Sequence, residues 1–238
     1  MDKKYEFMDE TKEIDGRILH RIVATKDFYN KRLGTIKKGT IGGFIESEEN
    51  LCHEDGSWVM DNSCVYENAH IVGNALISGN AHVSGNAQIS GNAQVSGNTW
   101  VSENALISGN AWVYGNALIY GNAWVSENAQ VSDNVWVYGN AWVSGNTLIS
   151  GNALISGNAF ITSLDDISTI SGFGSENRTT TFYLSKYNEI LVSCGYFNGT
   201  LKQFRDKVKI THGDSKLAKE YLMIADLMEM RFNRVLEK

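Results

Sequence analysis

No lysine or arginine occurs between Lys38 and Arg178, a stretch that holds 13 acidic residues. A surface without cations has no counterions to displace from a phosphate backbone, so this middle region is excluded as a nucleic-acid duplex binder. The ends differ from it: residues 1–38 carry ten basic against seven acidic side chains, and residues 178–238 carry eleven against seven. Cysteine is scarce as well. Cys52, Cys64 and Cys194 are odd in number and scattered, which rules out a disulfide framework and gives no metal-site spacing; the pattern suits a reducing compartment. Long apolar runs are missing, so no membrane helix is expected. Residues 1–17 are charged and have no apolar signal-peptide core, so the expected location is the cytoplasm.

What is present is a six-residue period. From Val59 to Phe160 the chain repeats aliphatic, Ser or Tyr, Gly or acid, Asn, small, variable, seventeen times without insertion or deletion, the second slot departing at Met60 and Val72. The first slot is always Val or Ile and the fourth always Asn, from Asn62 to Asn158. One β-branched residue per short period fits a β-solenoid, in which each hexad makes a strand and a corner and successive coils stack as parallel strands. In Gln88-Ile89-Ser90 the alternation of a strand points Ile89 inward and its neighbours outward. The fifth slot is Ala, with Ser63, Thr99, Val135 and Thr147 as exceptions, and must sit inside a tight corner. The Gly-Asn, Glu-Asn and Asp-Asn pairs are corner chemistry, since these residues tolerate positive φ. Stacked Asn side chains are expected to form amide ladders.

This pattern resembles the hexapeptide repeat of left-handed β-helix proteins, in which three hexads make a triangular turn of eighteen residues. The resemblance implies the handedness and the three-sided section, and seventeen hexads then give about 5.7 turns, about 27 Å tall at the spacing of neighbouring strands. The expected fold is mostly β: a left-handed parallel β-helix over 53–172, an N-terminal β-hairpin cap over 1–52, and a small C-terminal ββαα domain over 173–238. Residues 5–13 and 17–24 form the hairpin around Asp15-Gly16, and 53–58 read as a degenerate first hexad. Residues 172–177 read as a linker, and 179–184 with 189–194 as a second hairpin. Thr200 and Gln203 make a capping box that opens a short helix with Leu201, Phe204 and Val208 inward. Asp214 or Ser215 caps a longer helix that buries Tyr221, Ala225, Met228, Phe232 and Val235. The whole chain resembles a group of phage and prophage proteins with a solenoid centre. The matching stretches are Asp15-Gly-Arg17, Gly42-Gly-Phe-Ile-Glu-Ser-Glu-Glu-Asn50, Thr179-Thr-Thr-Phe-Tyr183, Cys194-Gly195, Phe197-Asn-Gly-Thr-Leu201 and His212-Gly213.

On a three-sided column residues eighteen apart are neighbours, and the outward aromatics then cluster. One face carries Trp100, Leu118 with Tyr120, and Trp136 with Tyr138; the next carries Leu106, Trp124, Trp142 and Phe160; the third has Trp112 and Tyr114 between Gln94 and Gln130. Contiguous exposed aromatics suggest a contact surface for the C-terminal domain, a second copy (a dimer or trimer) or a foreign partner. In the last domain Arg178, Lys202, Arg205, Lys209, His212, Ser215 and Lys216 are candidates for an anion or nucleotide site at a helix N-terminus, although Asp214 carries its own negative charge there.

Many hexapeptide-repeat proteins are coenzyme A-dependent acyltransferases, with a catalytic His and basic groups for the coenzyme phosphates. Here the repeat is unbroken, its middle has no cation, and His70 and His82 occupy ordinary outward slots. Twelve residues also separate them onto different faces, which does not suit a shared zinc site. Cys194 and His212 form a nucleophile and base only if a third group orients them. The expectation is a non-enzymatic binding protein without metal or cofactor, whose partner is a host protein or a small nucleotide. In the setting the phage resemblance implies, it would inhibit a host defence system. An acyltransferase and a self-assembling solenoid are the alternatives.

Overall fold

The computed structural model describes residues 3–237; the outer bounds expected for the terminal domains, 1 and 238, lie outside them. The N-terminal hairpin forms as expected, with β1 (Tyr5–Ile14) antiparallel to β2 (Arg17–Ala24) and Asp15 and Gly16 at φ 50° and 77° in the turn. A smaller hairpin follows, β3 (Phe28–Asn30) with β4 (Gly34–Ile36). Next, β5 (Ile41–Ile45) pairs antiparallel with β2 and parallel with Cys64 and Val65. Among the described residues eighteen two-residue strands then recur every six residues, from β6 (Trp58–Val59) to β23 (Phe160–Ile161).

Hydrogen-bonded neighbours within this run lie eighteen residues apart: Trp100 pairs with Leu118, and Leu118 with Trp136. Each coil therefore has three strands, and the column is a three-sided parallel β-solenoid. The side chains explain the shape. The Val or Ile of every hexad turns inward and is buried, as is the fifth-slot residue, from Ala69 to Ala159 and including Val135. The third slot turns the corner in left-handed backbone, with φ 69° at Gly91 and 60° at Glu103. Outside, the fourth-slot amides bond from coil to coil in three ladders. Asn68, Asn86, Asn104, Asn122 and Asn140 form one, each Nδ2 donating to the next Oδ1 at 3.0–3.1 Å.

The column starts one coil earlier than the hexads do. β5 supplies its first strand, and Leu51 bridges in parallel to Ile71. Partners in this coil are twenty residues apart, Phe44 with Cys64, so one face stacks seven parallel strands instead of the expected five or six. The corner at 52–57 holds two extra residues and interrupts the period, which is why this stretch is not the degenerate hexad it resembles.

Both ends of the column are closed, as an exposed row of backbone donors and acceptors requires. At the start, β2 lies against β5, and the Tyr5 hydroxyl donates to the Leu51 carbonyl at 2.8 Å. Asn30 and Asn50 reach the neighbouring corners, their amides donating to Gly56 and Asn74 and to Glu67 and Ala69. At the far end a four-stranded antiparallel sheet covers the last coil: β24 (Ile167–Phe173), β25 (Arg178–Leu184), β26 (Ile190–Cys194) and β27 (Phe197–Thr200). Thr181 Oγ1 accepts from the Leu154 amide at 3.0 Å, and the Tyr183 hydroxyl from the Ser156 amide at 3.2 Å.

The expected second hairpin is the middle pair of this sheet. β24 covers residues that read as decaying repeat and linker, because an antiparallel strand needs none of the Asn and Gly corners that mark the solenoid. The helices match expectation. α1 (Leu201–His212) opens on the Thr200–Gln203 capping box, and α2 (Lys216–Leu236) is capped by Ser215. Both pack on the sheet face away from the column, where Phe204, Tyr221 and Phe232 meet Phe182 and Val192.

Candidate functional site

Two aromatic columns run up the outside of the solenoid because the coil register places every eighteenth side chain over the last. On one face Trp124 pairs with Trp142, and Trp142 with Phe160. The two indoles stack at 4.5 Å with 17° between their planes, and Phe160 meets Trp142 edge-on at 5.3 Å. Trp124 is exposed, and its Nε1 donates to Ser108 Oγ at 3.2 Å, which fixes the ring against the wall. On the neighbouring face His82 stacks on Trp100 at 4.6 Å and 3°, while Tyr120 stacks on Tyr138 at 5.1 Å and 4°. Trp100 and Trp136 are exposed along this second column. Offset aromatic stacking of this kind holds each ring in one orientation, so the surface is preorganised. The third face offers less: Trp112 lies beside Tyr114, and the Arg32 guanidinium sits 5.6 Å from the indole.

The C-terminal sheet leaves Trp100 and Trp124 exposed and caps the end of the column instead. Where its turns overhang the second column they form a cleft of about 680 Å³, lined by Trp136, Tyr138 and Leu154 on the wall side and by Arg178, Tyr196 and Phe197 on the sheet side. Aromatic side chains expected on the solenoid surface therefore share a cleft with one of the expected cationic residues, Arg178, whose guanidinium lies 5.6 Å from the Tyr196 ring. Tyr196, fully exposed at the turn between β26 and β27, had no periodic signal to mark it, since it lies beyond the repeat.

The remaining basic candidates do not form the expected anion pocket. Arg205 is held by Asp226 and Glu229, both at 2.7 Å, which raises its pKa above the ordinary guanidinium value. The Ser215 hydroxyl accepts from the Ala218 amide at 3.1 Å and so is spent on capping α2. Lys202, Lys209 and Lys216 point into solvent along the helices, and His212 stacks on Tyr221. The helix positions that looked adjacent in sequence turn their cations outward, because the inward stripe is taken by the apolar core.

His212 and Cys194 do line one small cavity of about 140 Å³. The thiol there accepts from Thr180 Oγ1 at 3.1 Å, and Tyr221 occupies the space beside it. His70 bonds the Glu49 carbonyl at 2.6 Å and His82 lies flat on Trp100, on different faces as expected. Burial pulls the pKa of His82 below the ordinary imidazole value. Among the described residues no three His, Cys, Asp or Glu side chains gather closely enough to hold a metal ion, and no helix is long and apolar enough to cross a membrane.

Residues 87–103, 111–127 and 129–145 match the YdcK beta solenoid repeat family. Each matched segment is about one coil, running from a buried corner alanine to the left-handed corner position of the coil's last hexad. No curated protein matches the chain. Register, corner geometry and repeat match agree: this is a β-solenoid repeat protein, extended at its start by a β-hairpin and at its end by an antiparallel sheet with two helices.

Proposed function

We propose that this protein is a non-enzymatic binding protein, a stiff column that presents aromatic side chains to a macromolecular partner. The observation that carries the reading is the Trp124, Trp142 and Phe160 stack: three aromatic rings in contact, locked in register on an outer wall, with Trp124 exposed and Trp142 and Phe160 half-buried. Tryptophan and other large aromatics dominate the energy of protein interfaces when they are held rigidly and desolvated on contact. A wall without cations favours a partner with its own basic surface, since opposite charge speeds encounter and discourages other partners. A second copy of the chain could use the stack as well, giving a dimer or trimer. In the phage setting that the sequence resembles, the foreign partner would be a host defence protein.

The test is Trp124→Ser combined with Trp142→Ser, read by light scattering during size exclusion and by what co-purifies with the chain. The expected result is loss of a discrete oligomer or of a retained partner protein, with the circular dichroism and melting temperature kept. Unchanged assembly together with unchanged partner retention would remove this surface from consideration.

A further inference from the structure

The cleft between the second aromatic column and the C-terminal sheet has the composition of a small-molecule site. Its volume of about 680 Å³ falls within the range of ligand pockets, about 300–1,000 Å³. Trp136 is exposed on one side of it and Tyr196 on the other, with the Arg178 guanidinium 5.6 Å from the Tyr196 ring, so a flat ring can stack on Trp136 with Tyr196 and Arg178 facing it. Every nucleobase has a π-face that can stack in this way. Its one cation is Arg178, and no Asp or Glu lines it. Glu176 lies 3.7 Å from that guanidinium across a solvent-exposed pair, a weak hold that a ligand anion can displace. Arginine presents a planar fork suited to two phosphate oxygens.

The polar groups fit the same ligand. Asn152 ends an amide ladder: its Oδ1 accepts from Asn134 at 3.0 Å, and position 170, where the next asparagine would stand, is Ile170. The Asn152 amide hydrogens are thus left at the wall of the cleft, beside Asn177 and Thr179. Amides and hydroxyls offer both donors and acceptors, as the edge of a nucleobase demands. A single arginine balances the one charge of a phosphodiester and about half that of a phosphate monoester, and leaves a di- or triphosphate mostly uncompensated.

We propose that this cleft binds a mononucleotide, its base stacked on the Trp136 and Tyr196 side and its single phosphate held by Arg178. The site is separate from the Trp124 stack, so either can fail without the other. The full chain is titrated calorimetrically with AMP, CMP, GMP, UMP, 3′,5′-cyclic AMP and 3′,5′-cyclic GMP, and with adenosine, guanosine, inorganic phosphate and maltohexaose. The expected result is one-to-one binding of at least one mononucleotide, at least tenfold weaker for the matching nucleoside and for Arg178→Gln. Trp136→Ala should abolish it, Trp136→Phe should retain it, and the Trp124→Ser, Trp142→Ser double variant should bind normally. The proposal is overturned if no mononucleotide binds, or if inorganic phosphate binds as well as the nucleotide. It is equally overturned if maltohexaose binds in place of nucleotides, or if Arg178→Gln and Trp136→Ala leave nucleotide affinity unchanged while melting like the parent chain.

Discussion

At single positions the corner slot shows how a strict repeat tolerates variation. Most corners place glycine there, but Asp61, Glu67, Glu103, Glu127 and Asp133 hold the same left-handed backbone at φ 58–60°. Such a conformation costs an L-residue about 1–2 kcal/mol. Four of the five recover part of it, because the carboxylate accepts the glycine amide one coil on, as Glu127 does from Gly145 at 2.9 Å. Acids are also never stacked directly: Glu127 lies between Gly109 and Gly145, and Asp133 between Gly115 and Gly151. Like charges one rung apart, about 4.8 Å, would repel. Glu127→Ala, which keeps the strain and loses the acceptor, should destabilise the chain by about 1–2 kcal/mol in urea unfolding. Glu127→Gly, which relieves the strain, should cost less than about half of that. Equal costs would show that backbone strain is not what limits this slot.

Among the elements, the C-terminal sheet acts as a stopper. Its strand β25 uses both faces: Phe182 and Leu184 pack toward the helices, while Thr181 and Tyr183 meet the last coil. The Tyr183 hydroxyl sits among three residues, accepting from the Ser156 amide at 3.2 Å and the Asn198 side-chain amide at 3.4 Å and bonding Ser156 Oγ at 3.2 Å and Ser193 Oγ at 2.8 Å, in a buried position where an unmet donor costs about 1–3 kcal/mol. Tyr183→Phe keeps the ring and removes only that oxygen. It should lower stability by about that amount and speed hydrogen exchange of peptides spanning 154–160, leaving peptides from the middle coils unchanged. Unaltered exchange at 154–160 would mean that the hydroxyl does not seal this edge.

Taken whole, the molecule should weaken on acidification in two stages. Burial is the main cause holding His53 and His82 below the ordinary imidazole pKa; the nearby Lys12 charge adds to it at His82, and Glu48 opposes it at His53. Below about 6.5, where a free imidazole takes up a proton, the unfolded chain binds more protons than the folded one, so stability falls with falling pH. The second stage comes from carboxyls held below their usual range. Hydrogen bonding to Lys3 is the main cause at Glu48; at Asp55 burial opposes the shift, and bonds from Ser57 and Gly73 with the Lys4 charge outweigh it. Their stabilisation is present above a pH of about 4 and is lost below it. Melting temperatures between pH 7.5 and 3 should show both declines. His82→Gln should flatten the first, since glutamine already fills the same slot at Gln88 and Gln94. An equally steep decline in that variant would exclude His82 as a source.

The sequence alone determined the coil, because a repeat in register needs only local chemistry to state it: an inward aliphatic, a left-handed corner and an outward amide every six residues. Stacking of Trp124 on Trp142 follows from that period. Outside the period local signals still marked the two hairpins and the two helices, while tertiary structure decided how those elements dock. The first coil was hidden by two extra residues at the corner 52–57, and β24 by a strand pattern too short to stand apart from a fading repeat. The basic residues near Ser215 looked like neighbours along the chain, yet helix packing spread them over solvent and bound Arg205 to carboxylates. Arg178, by contrast, came to line the same cleft as Trp136 only through the fold of the C-terminal sheet over the last coil. Contacts between residues of unrelated periodicity depend on how separate elements dock, and no spacing within one element encodes that.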